Sequence, residues 1–302
     1  MIQTPETARE PNTLIETVPD TRAAGPSILT TFTPNPNLPL RPRDQAFWCS
    51  LTLGQVSGRP DPCSGVEETE VCPPLESVAS AFRPFTIIDL EGCDSTIGGD
   101  DHQAIAAQMV EEGTAWALGR ELATGRWTGN PSLQSSASVD LTPDSGAVDT
   151  AQAWSILEHH FESFSHGRFM VHSPTAVTAD MAQKRLIQLV GGSYRGARSM
   201  LINPGPGLPG VGPDITGNVD RTAQGEFYLY ATRSAGEYRT GEVTPYGTDT
   251  IITEQNRVVA SSSRRAMVRF NPTGVAGIRV SLVRESFSEP FTPPAIEPFQ
   301  EG

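Results

Sequence analysis

The chain has 302 residues, of which 28 are glycine, 26 are proline and only 37% are hydrophobic, so we expect long loops or extended arms. Its formal net charge of −13 argues against nucleic-acid binding, because neutralising phosphates requires clustered lysine and arginine. The sequence has no apolar run long enough to span a bilayer, and its acidic start lacks the hydrophobic stretch of a secretory signal. We therefore expect a protein that is made in a cytoplasm and stays there until lysis.

Residues 1–45 are rich in proline and show almost no periodicity, which predicts extended geometry. They form either a disordered tail or an arm that crosses neighbouring copies and becomes ordered there. Their apolar residues are too many for a solvating tail and favour the arm: Leu14, Ile15, Ile28, Leu29, Phe32, Leu38 and Leu40. Residues 46–94 begin with the strand candidate AFWCSLTLG and end with FRPFTIIDLEGC, which predicts a protruding two-stranded loop.

The strongest helical pattern follows this loop. Its apolar stripe is spaced by four, four and three residues and comprises Ile105, Met109, Gly113 and Trp116. Asp100 and Asp101 stand where an N-cap and a first-turn acid belong. The stretch Gly125 to Pro131 ends the pattern, which predicts a helix of about 24 residues, or roughly 36 Å.

Residues 126–148 are a polar connector, and the next segment predicts an α/β unit. Asp149 or Thr150 caps a helix with the apolar face Trp154, Leu157, Phe161 and Phe164. RFMVHS predicts a short buried strand. Pro174 then starts a helix as its first residue, with an apolar face of Ala182, Leu186, Leu189 and Val190 and an end at Gly191-Gly192.

The segment Asn203 to Asp214 alternates glycine and proline, so we expect a structured or mobile loop that is neither helix nor sheet interior. A phosphate cradle is disfavoured because its prolines remove N–H donors and no Lys-Ser/Thr follows. From Glu226 onward the pattern predicts antiparallel strands with one solvated face: EFYLYATR, TGEVTPYG, TIITEQ, NRVVAS, RAMVRF and GIRVSLV. Residues 286–302 return to proline and acid and predict an extended tail.

The residues that could carry chemistry do not form a recognisable active site. The five histidines (His102, His159, His160, His166 and His172) lack metal-ligand spacing, and adjacent His159 and His160 point about 100° apart on a helix. Ser193 in GGSYRG follows a predicted helix, whereas a nucleophile elbow needs a preceding strand. The acid pairs Glu67-Glu68, Asp100-Asp101 and Glu111-Glu112 show no sign of the burial that acid–base work needs. We predict no enzyme, no catalytic residue, no metal site and no cofactor.

Four cysteines, Cys49, Cys63, Cys72 and Cys93, lack the paired spacing of a zinc site. A reducing compartment favours free thiols, and a disulfide or metal that ties this segment together is the alternative. Cys49 and Cys93 stand among apolar residues, where thiol reactivity falls.

Three stretches carry a resemblance: RPFTIIDLEGC, LGRELATGRWTGNPSL and GRFMVHSPTAVTADM. With the order of elements, they resemble the major capsid proteins of tailed double-stranded DNA phages of the actinobacteriophage type, which have the Hong Kong 97 fold. The resemblance implies an α+β fold with an extended N-arm (1–45), an E-loop (46–94), a spine helix (95–125), a connector (126–148), an axial domain (149–225), an antiparallel peripheral sheet (226–285) and a C-terminal tail (286–302).

The resemblance further implies a shell protein that assembles with itself into pentamers and hexamers around packaged DNA, without sequence-specific DNA binding and without a membrane. Scaffold, portal and decoration proteins are the other implied partners, and the virion is the implied location. In this picture much of the apolar surface is covered by sister copies, and the loop at 203–214 lies near the capsomer axis.

Two departures from the family are visible. Lys184 is the only lysine and lies outside the E-loop, so we predict no lysine–asparagine weld between subunits. Residues 1–45 are too short and not helical enough for a scaffolding prodomain. A minor virion or decoration protein is the first alternative function, although such a protein needs no long spine. A hydrolase that uses Ser193 or a cysteine is the second alternative.

Overall fold

The structure, a computed structural model, describes residues 26–41, 44–51, 77–94, 102–135, 138–165, 169–196, 200–205, 207–208, 210, 225–245, 250–252 and 257–282. Its helices are α1 (Ile28–Thr31), α2 (His102–Thr124), α3 (Thr150–Ser165) and α4 (Thr175–Gln183). Its strands are β1 (Thr33–Pro34), β2 (Ala46–Leu51), β3 (Ser77–Phe82), β4 (Phe85–Asp94), β5 (Val139–Asp140), β6 (Met170–Pro174), β7 (Ile187–Val190), β8 (Ser193–Gly196), β9 (Leu201–Gly205), β10 (Glu226–Thr232), β11 (Glu237–Thr240), β12 (Thr244–Pro245), β13 (Thr250–Ile252), β14 (Arg257–Arg269) and β15 (Ala276–Ser281).

The long helix predicted from the apolar stripe is confirmed as α2, which has 23 residues. Its proposed capping acids, Asp100 and Asp101, lie outside the described residues. The helix packs against β4 and β14. Gln103 donates to the Ser261 carbonyl (3.0 Å) and to the Ser262 hydroxyl (2.6 Å), and so ties the first turn of the helix to β14. None of the helices among the described residues is long and apolar enough to cross a bilayer.

The strands of the described residues form three sheets. A six-stranded sheet has the order β1-β11-β14-β12, and β4 and β13 also pair with β14. A seven-stranded mixed sheet has the order β5-β15-β10-β6-β9-β8-β7. Strands β2 and β3 pair with each other as an antiparallel ribbon, with Ala46 opposite Phe82.

The late strands therefore do not form one sheet. Strands β10 and β15 join the seven-stranded sheet, where β10 pairs with β6, whereas β11 to β14 lie in the six-stranded sheet. The expectation of a single late sheet was wrong because strand partners come from distant sequence. NRVVAS and RAMVRF also form one continuous strand, β14, and not two.

Two hydrophobic cores lie on opposite faces of the seven-stranded sheet. The first, which we call the spine core, includes Val110, Leu118 and Leu122 of α2. The second, which we call the axial core, includes Leu157 and Phe161 of α3 and residues of α4. Strand β10 contributes alternately: Tyr228 and Tyr230 to the spine core, and Leu229 and Ala231 to the axial core. The prediction of one solvated face is thus wrong for β10, because both faces of this strand are covered.

The described part of the predicted N-arm packs on its own chain. Ile28, Phe32 and Leu38 are buried in the spine core, and β1 pairs in parallel with β11. The prediction that sister copies cover the arm is wrong for Ile28, Phe32 and Leu38, because the chain's own core buries them. Leu14 and Ile15 lie outside the described residues.

The two strands predicted at the ends of residues 46–94 are present, but the second has a different course, and the excursion between β2 and β3 lies outside the described residues. FRPFTIIDLEGC is interrupted at Arg83-Pro84, where proline cannot continue the ladder. Phe82 ends the ribbon strand β3, whereas β4 leaves the ribbon and pairs with β14, with Phe85 opposite Ala266.

The helix predicted after Pro174 is present, but its predicted C-terminal end is wrong. The helix begins at Thr175, with Pro174 in the N-cap position, and ends at Gln183. Residues predicted to continue it form the hairpin β7–β8 around Gly191-Gly192, both of which have positive φ (59° and 80°). Two such residues favour a tight hairpin turn, so the glycine pair connects two strands.

The Gly/Pro segment is partly sheet. Asn203, Pro204 and Gly205 belong to β9 and pair with β6, which contradicts a purely loop assignment. Strand β8 pairs with β9 only as far as Ile202, so the missing N–H of Pro204 faces no ladder partner there. Farther on, a Cβ added to Gly207 would lie 2.2 Å from the Trp116 carbonyl oxygen, so this turn rests directly on α2.

Candidate functional site

The C-terminal end of α2 forms a compact junction with the base of the β2–β3 ribbon. We call Arg83, Glu121, Trp127, Thr128 and Asn130 the spine junction. Gly125 has a positive φ of 60° and donates its N–H to the Glu121 carbonyl (2.7 Å), which ends the helix. The chain then turns back along the helix, and the N–H of Leu133 reaches the Leu122 carbonyl at 3.0 Å.

Glu121 holds this turn from inside the helix. Its carboxylate is 1% exposed and accepts the Trp127 N–H (3.1 Å) and a short hydrogen bond from the Thr128 hydroxyl. Burial raises the pKa of the Glu121 carboxyl above its ordinary value, and the hydrogen bonds from Thr128 and Trp127 oppose that shift. The group satisfies backbone donors that the turn would otherwise bury unpaired.

Asn130 connects the same turn to the ribbon. Its side-chain amide donates to the Arg83 carbonyl (2.9 Å), and its oxygen accepts the Arg83 N–H (2.8 Å). The side chain therefore pairs with Arg83 as a neighbouring strand would, at the point where β3 ends and β4 begins. Trp127 packs on Phe85 with ring centroids 5.3 Å apart, which adds an apolar contact at this point.

A second polar arrangement is fully buried between the arm and the seven-stranded sheet. The Thr232 hydroxyl donates to the Ser234 carbonyl (2.9 Å), so it accepts from Nε2 of His172 at 3.0 Å. The other ring nitrogen, Nδ1, then accepts from the Asn203 amide at 3.2 Å. Thr31 of α1 donates to Asn203 Oδ1 (3.3 Å), which links the arm to the sheet.

His172 is neutral in this environment. Burial lowers the pKa of its imidazole to about 3, because no acid among its contacts compensates the lost hydration of the charged form. The arrangement Thr31–Asn203–His172–Thr232 is a chain of neutral hydrogen bonds that positions α1 on β6, β9 and β10. Its role is structural, since the contacts of His172 are all inside the fold.

A search against protein-family models finds no match, and no curated protein matches the chain. Among solved structures, the capsid of a native GTA particle is similar over 93% of this chain and 100% of its own, with a TM-score of 0.56 and 8% identity. The capsid of an empty GTA particle gives a TM-score of 0.52 and 9% identity, over 93% of this chain and 95% of its own. A chain from Mycobacterium phage Ogopogo gives 0.50 and 12%, over 93% and 100%.

This chain has the Hong Kong 97-type capsid fold. The resemblance drawn from short sequence stretches is thereby confirmed for the fold. Two of those stretches have clear places in it: LGRELATGRWTGNPSL contains most of the spine junction, and GRFMVHSPTAVTADM contains β6 and most of α4.

The histidines considered for metal binding are not brought together. His102 begins α2, and His159 is exposed on α3. His160 lies edge-on to Phe161 at 5.1 Å, and burial together with Arg233 lowers the pKa of its imidazole. His166 lies outside the described residues. Within those residues, no group of three or more histidines, cysteines or acids could hold a metal.

Ser193 and Lys184 are engaged in contacts within the Hong Kong 97-type fold. Ser193 follows the strand β7 and not a helix, and its hydroxyl donates to the Thr30 carbonyl at 3.2 Å. It opens β8, so the strand–turn–helix of a nucleophile elbow is absent at this position. Lys184 Nζ lies 2.9 Å from Asp180 Oδ2 and 2.9 Å from the Thr150 hydroxyl, which joins α4 to the start of α3.

The remaining candidates divide between surface contacts and undescribed residues. Glu111 forms an ion pair with Arg264, and Glu112 accepts from Gln108 at 2.7 Å. Cys49 and Cys93 lie on β2 and β4, but the predictions about their side chains, and about Cys63, Cys72 and Glu67-Glu68, fall outside the described residues.

Sequence reasoning missed Glu121, Asn130 and the buried contacts of His172. A signal existed for Glu121, because it stands beside Leu122 in a helical segment of mostly small and apolar residues (115–123), where an acid is unexpected. No local signal marks the partner of Asn130 or of His172, since Arg83 and Asn203 are distant in sequence.

Proposed function

We propose that this chain is the major capsid protein of a tailed double-stranded DNA phage, and that copies of it assemble into the pentamers and hexamers of an icosahedral head. The observation that carries the proposal is the likeness of nearly the whole chain to capsid proteins of two GTA particles, at TM-scores of 0.52 and 0.56. Its location is then the virion, after assembly in the host cytoplasm, and it has no catalytic role.

The segments take corresponding roles. Residues 1–45 act as the N-arm, 46–94 as the E-loop, 95–125 as the spine and 126–148 as the connector. Residues 149–225 form the axial domain, to which we add β10 and β15 because they lie in its sheet. The rest of 226–285 forms the peripheral domain, and 286–302 is a contact tail. The spine junction supports these roles, because Asn130 fixes the base of the ribbon to the spine.

The acidity of the chain fits an enclosing shell. With a net charge of −13, an inner surface made of this protein repels packaged DNA and leaves it mobile, without sequence-specific binding. Scaffold, portal and decoration proteins are the expected partners besides the chain itself.

Electron microscopy of the full-length expressed chain, alone and with a co-expressed scaffold, tests the proposal. We expect closed icosahedral shells. A chain that forms no shell under either condition and binds only to preformed particles is a decoration protein, and that result overturns the proposal.

A denaturing gel of purified particles tests the absence of covalent welding. Because Lys184 is the only lysine and is held by Asp180, we expect a single reduced band at the monomer mass of 32.4 kDa. A ladder of multimers that survives reduction and disappears in Lys184→Arg contradicts this expectation. A ladder that only reduction removes identifies cysteine bridges instead.

A further inference from the structure

Exposed apolar side chains concentrate at the two ends of the seven-stranded sheet. Among the described residues, four large hydrophobic side chains are exposed, and three of them lie on the outermost strands. Val139 on β5 is 46% exposed, whereas Leu189 and Val190 on β7 are 58% and 49% exposed. Both ends of one sheet therefore present apolar surface that no other part of the described chain covers.

The β7 end also has an open backbone edge. Gly196 donates its N–H to the Met200 carbonyl (2.9 Å), away from β7, so Gly196 and its partner Ile187 are a non-hydrogen-bonded pair. Pairs alternate along an antiparallel ladder, so Leu189 and Tyr194 are also such a pair, and the N–H and C=O of Leu189 point outward. Apart from its shortness, the strand IQLV has no charge, proline or bulge that protects natural edges.

The β5 end is open in the same way. Val139 and Leu141 donate their N–H groups to the Val275 and Gly277 carbonyls of the β15 side, at 2.9 and 2.8 Å. The backbone amide of the intervening residue, Asp140, therefore points away from β15 and toward the free edge.

The two ends differ in charge. Arg185, immediately before β7, is exposed, and no described residue forms a salt bridge with it. The neighbouring Lys184 is neutralised by Asp180. At the other end Asp140 and Asp144 are exposed. Arg279 on the neighbouring strand β15 is paired with Glu226 at 3.6 Å.

We propose that consecutive copies of this chain in a capsomer meet head to tail through these ends, the β7 edge of one copy against the β5 edge of the next. The inference rests on the proposed shell function. The proposed contact joins two different surfaces of the chain. A heterologous contact of this kind forms a closed ring when the repeated rotation from one copy to the next returns to the first copy. The alternative of two β7 edges stops at a dimer, because a contact between two identical surfaces leaves neither of them free for a third copy. In an antiparallel head-to-tail contact, Arg185 before β7 and Asp144 after β5 lie at the same end of the paired strands.

Cysteine cross-linking in assembled particles tests the contact. The double variant, which combines Val139→Cys and Leu189→Cys, is compared with the two single variants and with the unchanged chain, which carries its four native cysteines. All of these proteins are treated with the same oxidant and the same short thiol cross-linker. The double variant is expected to give a ladder that ends at pentamers and hexamers, and the single variants to give no more than the unchanged chain. All substituted positions are exposed, so the cores stay intact.

The matched control is the double variant that combines Val139→Cys with Ser155→Cys, where Ser155 is an exposed residue of α3. This control is expected to give no ladder. Particles that form but show no ladder with the double variant overturn the inference and leave the shell function standing. Dimers from Leu189→Cys alone overturn it in favour of β7 pairing. If the unchanged chain forms no particles, the shell function itself fails.

A charge exchange tests the electrostatic part. Arg185→Asp alone and Asp144→Arg alone are each expected to raise the concentration needed for assembly about fivefold, and the combined exchange to restore it. Asp is suitable at position 185, because that residue has a φ of 59° and Asp tolerates the left-handed region. Single variants that lower assembly without mutual rescue contradict the pairing of these two ends.

Discussion

The axial core and the spine core share one sheet but draw on the sequence differently. Most of the axial core comes from one stretch, Val148 to Ile202, with a few residues from β10 and β15. The spine core takes residues from Ile28 to Val275, across almost the whole described chain. One core is therefore largely local, and the other exists only when distant segments meet.

The sheet between them couples the two. Adjacent residues of β6 point to opposite sides, Met170 into the spine core and Val171 into the axial core. A change that shifts this strand is felt in both cores, because close-packed interiors transmit displacement. The difference in origin thus does not imply independent folding units.

Leucine truncation in each core gives the largest expected effect. Leu118→Ala in α2 and Leu157→Ala in α3 remove fully buried side chains, and each is expected to lower the free energy of unfolding by about 2–5 kcal/mol. If the sheet couples the cores, both variants displace one common transition in denaturant, followed by far-UV circular dichroism of the unassembled chain. Two transitions, each moved by one variant only, would show that the cores unfold separately.

The local origin of the axial core explains why the sequence revealed it. The sequence predicted both the helix with Trp154, Leu157 and Phe161 on one face and the strand after Phe169. Both were predictable because the spacing of apolar residues within a short stretch indicates which side chains are buried. The long α2 was found for the same reason. The Gly191-Gly192 hairpin was missed there because the apolar spacing of Leu186, Leu189 and Val190 imitates a helix face.

The same reasoning did not predict which distant segments pair with one another in the spine core. Nothing near Ile28 or Phe32 indicates that the same chain buries them, so the arm was assigned to sister copies. The division of the late strands between two sheets has the same cause, since strand alternation does not identify the partner strand. The junction motif was visible as letters, but its Asn130–Arg83 contact depends on the ribbon returning to the spine.

Acid should weaken the contact between the arm and the sheet through His172. Since burial holds the pKa of His172 at about 3 in the folded chain against 6.5 ordinarily, the unfolded chain binds one more proton between these values. The free energy of unfolding therefore falls as pH drops below 6.5, approaching about 1.4 kcal/mol per pH unit, and the effect levels off near the lower value.

The comparison of His172→Gln with the unchanged chain isolates this contribution, because carboxyl groups titrate in both. Unfolding by denaturant at pH 7 to 4 should show a shallower pH dependence for the variant. The same substitution at the exposed His159 is the matched control for a histidine-to-glutamine change elsewhere in the fold. Equal slopes for all three proteins would refute the prediction.

Removal of the Glu121 carboxylate should loosen the spine junction. Glu121→Ala leaves the Trp127 N–H without its acceptor and is expected to lower the free energy of unfolding by about 1–3 kcal/mol. Glu121→Gln keeps one acceptor oxygen for the turn, so it should lose less. Glu112→Ala, whose partner Gln108 is on the surface, should stay within about 0.5 kcal/mol. A similar loss for Glu112→Ala and Glu121→Ala in denaturant unfolding would contradict a special role for the junction.

The smallest expected loss of stability comes from a substitution in the β7–β8 hairpin, where only the backbone conformation of the new residue is unfavourable. An added Cβ at Gly191 meets nothing within 4 Å, but its φ of 59° lies in the left-handed region. Gly191→Ala should therefore lower the free energy of unfolding by about 1 kcal/mol, whereas Gly191→Asn should lower it less, because Asn adopts this region readily. Denaturant unfolding of the two variants separates the cases. If Ala and Asn are equally tolerated, the turn does not hold the glycine pair in this geometry, and the helix that the sequence suggested becomes the better account of the segment.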